Sequence, residues 1–229
     1  MKQTAPTIFF DWNGTLFDDT LAVLEGFNVA FGRFGHACSL PQFRKSYDFP
    51  LESFFQDVGF SQKESADYKY DLLEAFHAAY AQLENKVHLR DGAKETLAQL
   101  HGAGVHCVLW SNHIIKPIEQ QCARLGLLPY LDDLLANKDI AEQAVSLPKR
   151  ARLMSHMDER ELEKKKTMIV GDTPEEIRVA HEVGSTGVAI TNGYASDERL
   201  AAVRPHHTIK LFAELPDIVT TVLGRGKTL

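Results

Sequence analysis

The sequence predicts an α/β protein: a parallel sheet with helices on both faces, carrying a helical insert near its start. Short apolar runs of strand length alternate with stretches of helical spacing after Lys86. The segment between Phe17 and Lys86 has helical spacing throughout and needs no strand. The chain has 229 residues, 44% of them hydrophobic and 24% charged, enough to bury one α/β core plus a small insert without disulfides.

Thr7 to Phe10 is the first strand. Asp19 to Arg33 follows as a helix, with Asp18, Asp19 and Thr20 as candidate caps and Gly35 as its stop. Shorter helices are expected over Leu40–Tyr47 and Leu51–Val58, and a longer one over Ser61–Leu83. In the second part, Asp91 caps a helix running to His101, and the apolar run Val105–Trp110 is a buried strand that delivers Ser111 and Asn112 to its end. A helix with Pro117 in its first turn runs to Leu125 and is capped by Gly126. Leu147 to Glu163 is largely helical, Thr167–Val170 is a strand closed by Gly171-Asp172-Thr173, and Pro174–Val183 is a helix ending at Gly184. Thr186–Ile190, Ser196–Val203, His207–Ile209 and Leu211–Leu223 complete the pattern as strand, helix, edge strand and helix.

Thirty-one acids against 25 bases give a net charge of -6, scattered rather than blocked. That balance argues against sequence-independent nucleic-acid binding, which needs a basic face. Cys38, Cys107 and Cys122 are widely spaced and form no CxxC pair, so neither a disulfide framework nor a structural zinc site is expected. No signal peptide or membrane span is read, and the expected location is cytoplasmic. Neither His106, inside a strand pattern, nor His206 and His207 offer a metal-ligand arrangement. Trp12 is expected to pack beside the first loop, and His113 to begin a helix.

Asp11, Ser111 and Asp172 each follow a buried strand directly. They converge if those strands are neighbours, because parallel sheets present such residues at one rim. Taken singly, each could equally start a turn or cap a helix.

Together they resemble the haloacid dehalogenase-like hydrolase superfamily, over nearly the whole chain. The first motif is Asp11-Trp12-Asn13-Gly14-Thr15, the second Ser111, and the fourth Gly171-Asp172-Thr173-Pro174-Glu175-Glu176. The third, a lysine at a helix start, is matched by Lys149, with Lys138 as second choice. The resemblance is closest to phosphoglycolate-phosphatase-like members. It implies a Rossmann-like three-layer core over residues 1–17 and 89–229 and a small helical cap over residues 18–88. It also implies the roles: Asp11 as nucleophile toward phosphorus, Mg²⁺ held by Asp11, Asp172 and the Asn13 carbonyl, and phosphoryl oxygens bound by Ser111 and Lys149. Thr15, Asn112, Thr173 and Glu176 support the site, Glu176 by orienting water, by pairing with Lys149, or simply by favouring a helix start.

Asn13 departs from the family, whose phosphatases have an aspartate there to protonate the leaving group and activate water. An amide cannot exchange that proton, a function commonly worth about 10²- to 10⁴-fold. The implied activity is therefore Mg²⁺-dependent hydrolysis of a small phosphorylated metabolite through an aspartyl-phosphate, favouring good leaving groups. A phosphometabolite-binding or regulatory protein with weak or lost catalysis, and a 2-haloacid dehalogenase, are the alternatives. In the cap, Arg44, Lys45 and Tyr47 are candidates for contact with an anionic substrate. No membrane or nucleic-acid partner is expected, and a homodimer through the cap or outer helices would be unsurprising.

Overall fold

A computed structural model describes residues 5–48, 50–138 and 149–223. Its described strands are β1 (Thr7–Phe10), β2 (His106–Ile114), β3 (Asp133–Asn137), β4 (Thr167–Gly171), β5 (Thr186–Ile190) and β6 (His207–Ile209). They form one parallel sheet in the order β3-β2-β1-β4-β5-β6. This is the doubly wound order, and it places β1 between β2 and β4, where crossovers diverge and a crevice opens beyond the strand ends.

Alternation along β1 builds the layers. Ile8 and Phe10 face a core with Ala93, Leu97, Ile118, Cys122, Phe212 and Val219. These come from α6 (Ala93–Gly102), α7 (Ile115–Leu125), the turn Phe212–Glu214 and α11 (Leu215–Leu223). Phe9 faces the other way, with Val108, Trp110 and Ile169, onto α8 (Lys149–Glu159) and α9 (Pro174–Val183). α10 (Asp197–Ala202) follows β5. Strands buried on both faces read as continuous apolar runs, which is why β1, β2, β4 and β5 were legible.

Between β1 and β2 lie α1 (Thr20–Gly32), α2 (Leu40–Ser46), α3 (Leu51–Val58), α4 (Gln62–Asp67) and α5 (Lys69–Leu83). They enclose a separate aromatic core of Phe27, Phe31, Phe43, Phe54, Phe55 and Phe76, joined from the sheet side by Tyr194. Phe27 stacks on Phe76 at 4.3 Å. Gly26 permits this approach of α1 to α5, since a Cβ there would meet the Phe76 ring at 3.1 Å. The chain leaves and re-enters the sheet side by side: Asp18 N–H donates to His88 C=O at 3.0 Å and Arg90 N–H to Leu16 C=O at 3.0 Å.

Several boundaries differ from the sequence reading. The stretch from Ser61 is two helices, split at Tyr68. α6 is capped not by Asp91 but by Gly92, at φ 76°. β2 continues through Ser111 to Ile114, with a register irregularity between Trp110 and Ile114 where it pairs with β3. β3 itself is not predicted: it is a sheet edge, half-buried over Asp133–Leu135, and its short apolar run offers little periodic signal. Residues 146–148, ahead of Lys149, lie outside the described residues.

Candidate active site

The strand order brings the predicted residues to one rim. Phe10 pairs with Leu109 on one side and Val170 on the other, and Asp11 N–H donates to Val170 C=O at 3.0 Å. Asp11 and Asp172 therefore sit just past two adjacent strand ends, and Ser111 sits in β2 just past its last residue paired with β1, all three buried.

Lys149, the first residue of α8, points into this rim. Its ammonium donates to Asp11 Oδ1, and to Glu176 Oε1 at 2.7 Å. It is placed from behind by Trp110, whose Nε1–H donates to the Lys149 carbonyl at 2.7 Å and whose ring lies 4.3 Å below Nζ. Of the three offices proposed for it, Glu176 fills two, the pairing with Lys149 and the helix start. Oε1 takes the lysine, while Oε2 accepts from Thr173 N–H at 3.0 Å and closes the capping box that starts α9. Lys138 lies at the end of the described segment after β3, and no described contact takes it to Asp11; Lys149 is the lysine that reaches it.

Asp172 is held rigidly. Oδ1 accepts from Thr15 Oγ1 at 2.8 Å and Oδ2 from Tyr194 N–H at 2.6 Å. Two glycines make room for it: a Cβ on Gly14 or on Gly193 would lie 2.2 Å from Oδ2. Gly14 also has φ 74°, where a side chain is strained. The Ser111 hydroxyl accepts from His113 N–H at 3.1 Å, which leaves its own proton to donate into the rim. Asn112 donates to Glu175 Oε2 at 3.2 Å.

The rim holds more negative than positive charge. Burial, then Glu176, pushes the Asp172 carboxyl up to about 7. Burial likewise raises Asp11, with Lys149 opposing and Glu176 and Asp172 adding to it. Burial works against the Lys149 charge, yet Asp11, Glu176 and Glu175 together raise its pKa. Buried carboxyl oxygens in excess over cations are a hard-oxygen donor set, and Mg²⁺ fits such a set. Each Asp172 oxygen accepts one described hydrogen bond and keeps a further lone pair for an ion.

The structure also shows a residue that sequence reasoning took for a helix cap. Asp19 makes no capping hydrogen bond to α1. It is fully buried, and its carboxyl turns back to the first loop. Oδ1 accepts from Gly14 N–H at 2.9 Å and Tyr194 OH at 3.0 Å; Oδ2 accepts from Asn13 Nδ2 at 2.7 Å and Tyr80 OH at 2.7 Å. Burial raises its pKa, and these four donors oppose that. Because the Asn13 amide nitrogen is committed to Asp19, Asn13 Oδ1 is left as an acceptor. Only the position of an acid six residues after Asn13 hinted at this; both tyrosines are distant in sequence.

The cap candidates divide. Arg44 donates through Nε to Gly193 C=O at 3.0 Å and through Nη2 to Asn192 C=O at 2.7 Å, lashing α2 to the loop after β5. Arg199 of α10 reinforces this contact through Tyr47 C=O at 2.7 Å and Asp48 at 2.6 Å. The Tyr47 ring packs on Tyr194 at 5.2 Å, and Lys45 is exposed. Trp12 is buried as expected, stacked on Phe17 at 4.9 Å and donating to Gln121 at 2.8 Å. His113 lies inside β2, one residue before its end, rather than beginning a helix. Its Nδ1 accepts from Ile114 N–H at 2.6 Å, and burial, with His77, lowers its pKa to about 4.

His106 is not without metal-ligand neighbours, contrary to the sequence reading. Asp133 and His156 join it in a group able to hold a divalent ion. β3 was unpredicted, so this neighbourhood was invisible.

The sequence profile of the haloacid dehalogenase-like hydrolases matches residues 8–190, and the chain belongs to that family. It is 26% identical over 225 residues to a phosphoglycolate phosphatase of Vibrio parahaemolyticus, covering 95% of this chain and 97% of that one. To the phosphoglycolate phosphatase of Yersinia pseudotuberculosis it is 24% identical over 214 residues, covering 91% and 90%. A haloacid dehalogenase-like protein of Streptococcus pneumoniae shares the fold with TM-score 0.72 at 19% identity, over 93% of this chain and 98% of that one. Among the described residues, no helix is long and apolar enough to cross a membrane.

Proposed function

We propose that this chain is a Mg²⁺-dependent hydrolase of small phosphorylated metabolites, working through an aspartyl-phosphate on Asp11. The carrying observation is the buried rim in which Lys149 bridges Asp11 and Glu176 beside Asp172. Asp11 attacks phosphorus; Lys149 and the Ser111 hydroxyl bind its oxygens and offset the charge that develops there. Asp11, Asp172 and the Asn13 carbonyl are the residues that would hold Mg²⁺, which neutralises the rim and the phosphoryl group when bound. Residues 18–88 act as the cap that excludes water, tied down by Arg44. The relatives named phosphoglycolate phosphatase make small phosphorylated acids a class to test first.

Asn13 sets the preference among substrates. Its Oδ1, oriented by Asp19, accepts a hydrogen bond from an incoming water and aims it, but takes up no proton. Leaving groups that need little protonation, such as those of acyl phosphates and pyrophosphate, suit this arrangement. The same observation favours, as a second reading, a phosphometabolite-binding protein with weak turnover. Excess negative charge beside Asp11 disfavours the metal-independent dehalogenation of a carboxylate substrate. Buried free thiols at Cys38, Cys107 and Cys122 suit a reducing cytoplasm, and a homodimer is compatible with this reading.

The test compares acetyl phosphate, pyrophosphate, phosphoglycolate and sugar phosphates with and without Mg²⁺, using Asp11→Asn as the inactive control. Cation-dependent release of phosphate, fastest from acetyl phosphate and abolished in the control, is expected. Equal activity without divalent cations would overturn the hydrolase reading, whereas phosphate-dependent binding with no product would leave the second one.

A further inference from the structure

The second group of ligating side chains stands at the other end of the sheet. His106 opens β2 and Asp133 opens β3, so both lie at amino-terminal strand ends, while Asp11 and Asp172 follow carboxyl ends. His156 comes from α8, the helix headed by Lys149.

The geometry is that of a coordination sphere. The candidate ligand atoms of His106, Asp133 and His156 all lie within 4.8 Å of one another. His106 Nε2 is 3.0 Å and His156 Nε2 3.7 Å from Asp133 Oδ2. Ligands about 2.0–2.1 Å from a tetrahedral ion stand about 3.3 Å apart, so these separations bracket the required one. His156 Nε2 is the telling atom: it is buried, has no hydrogen-bond partner, and belongs to a side chain only 7% exposed. A buried polar nitrogen costs free energy unless something satisfies it. Its ring is fixed edge-on to Phe9 at 5.7 Å and nearly parallel to His106, at 12°.

The surroundings complete the pattern. Asp132 Oδ2 lies 3.4 Å from His106 Nδ1, placed to orient the imidazole once an ion takes Nε2 from its 3.0 Å hydrogen bond with Asp133 Oδ2. Arg160 holds Asp133 Oδ1 at 3.0 Å and Oδ2 at 2.9 Å. The two aspartates outweigh that one guanidinium, which suits a dication.

We propose that His106, Asp133 and His156 bind a borderline transition-metal dication such as Zn²⁺, with water as fourth ligand, pinning α8 to β2 and β3. Imidazole nitrogens select such ions over Mg²⁺, which takes oxygen ligands. The site is therefore distinct in chemistry and place from the rim, and it steadies the helix that presents Lys149. It does not depend on the proposed hydrolase activity.

The test is a Co²⁺ titration of protein stripped with chelator, followed by visible absorption with Mg²⁺ in excess to occupy the rim. One equivalent should give the intense bands of four-coordinate Co²⁺, at least tenfold weaker in affinity in His156→Gln and Asp133→Asn and unchanged in Asp11→Asn. Zn²⁺ should raise the unfolding temperature of the wild type by several degrees and of those two variants far less. A wild type showing neither response would overturn the proposal whatever the variants do, leaving an ion-pair network. Loss of the cobalt signal in Asp11→Asn would overturn it too, by assigning the ion to the rim.

Discussion

Restoring the missing acid is the obvious perturbation, and the structure predicts that Asn13→Asp alone will misfire. Asn13 Nδ2 lies 2.7 Å from Asp19 Oδ2, so the substitution sets two carboxylates face to face in a buried site. At that 2.7 Å separation and an effective dielectric of about 20, two full charges repel by about 6 kcal/mol. The pair will instead keep a shared proton, and its upper native pKa will stand well above that of an unfolded aspartate. A group raised on folding is fully stabilising below its unfolded pKa and loses that contribution as pH rises through the folded one. The variant should therefore fall behind wild type by about 1.4 kcal/mol for each pH unit between those two values. Exchanging the pair, Asn13→Asp with Asp19→Asn, removes the repulsion and should restore stability while raising turnover of alkyl phosphates more than of acyl phosphates. Urea unfolding at pH 5 and pH 8 in metal-free buffer, with phosphate release assayed in parallel, reads both effects. If the single variant tracks wild type at both pH values, or the paired variant is no more stable than the single one at pH 8, the charge argument is refuted.

Three further outcomes are expected. Trp110→Phe strips the Lys149 carbonyl of its 2.7 Å donor and thins the ring beneath Nζ; it should cost about 1–3 kcal/mol in urea unfolding and lower kcat, with no loss in either as the refuting result. His113, held to about 4, leaves the unfolded chain binding more protons between about pH 4 and its ordinary value of about 6.5. Stability is thus lost as pH falls through that window, by at most about 3 kcal/mol, and the difference profile of wild type against His113→Gln should show it. Gly193→Ala drives a Cβ to 2.2 Å from Asp172 Oδ2; activity should collapse with a stability loss of about 1–3 kcal/mol, and an active variant would show that Asp172 need not hold its present place.

What the sequence disclosed depended on how locally each feature was encoded. Strands buried on both faces announced themselves, and their polar termini followed, so Asp11, Ser111 and Asp172 were legible before any contact was known. Glu176 was legible as a helix-start acid because its capping partner Thr173 is three residues away. β3 was not, since an edge strand with half-buried positions has neither continuous apolar character nor alternation. Asp19 was read as a cap because aspartate before a helix usually is one. Its actual donors include Tyr80 and Tyr194, brought in by the cap and by the loop after β5. Arg44 was read as a substrate contact from its charge alone, while its guanidinium meets carbonyls of a loop that only folding places there.

A carboxylate is absent from position 13 and one stands behind it at position 19, and on the proposed hydrolase reading that arrangement alters function in a definite way. A carboxylate at the rim can trade protons with substrate and water. One set behind an amide, and saturated by Gly14, Tyr80, Tyr194 and Asn13 itself, can only orient what the amide presents. Asp19 keeps one carboxylate close to the first loop, behind an amide that exchanges no proton. The tyrosines tie this carboxylate to α5 in the cap and to the loop that holds Asp172. Asp19 and Tyr80 both belong to residues 18–88, so on the proposed reading opening the cap would draw Asp19 away from Asn13, Gly14 and Tyr194, and water would be aimed at the rim only when the cap is down. Cap closure and orientation of the attacking water are then one event. Tyr80→Phe separates the two, and it should slow turnover of acyl phosphates while leaving phosphate binding unchanged.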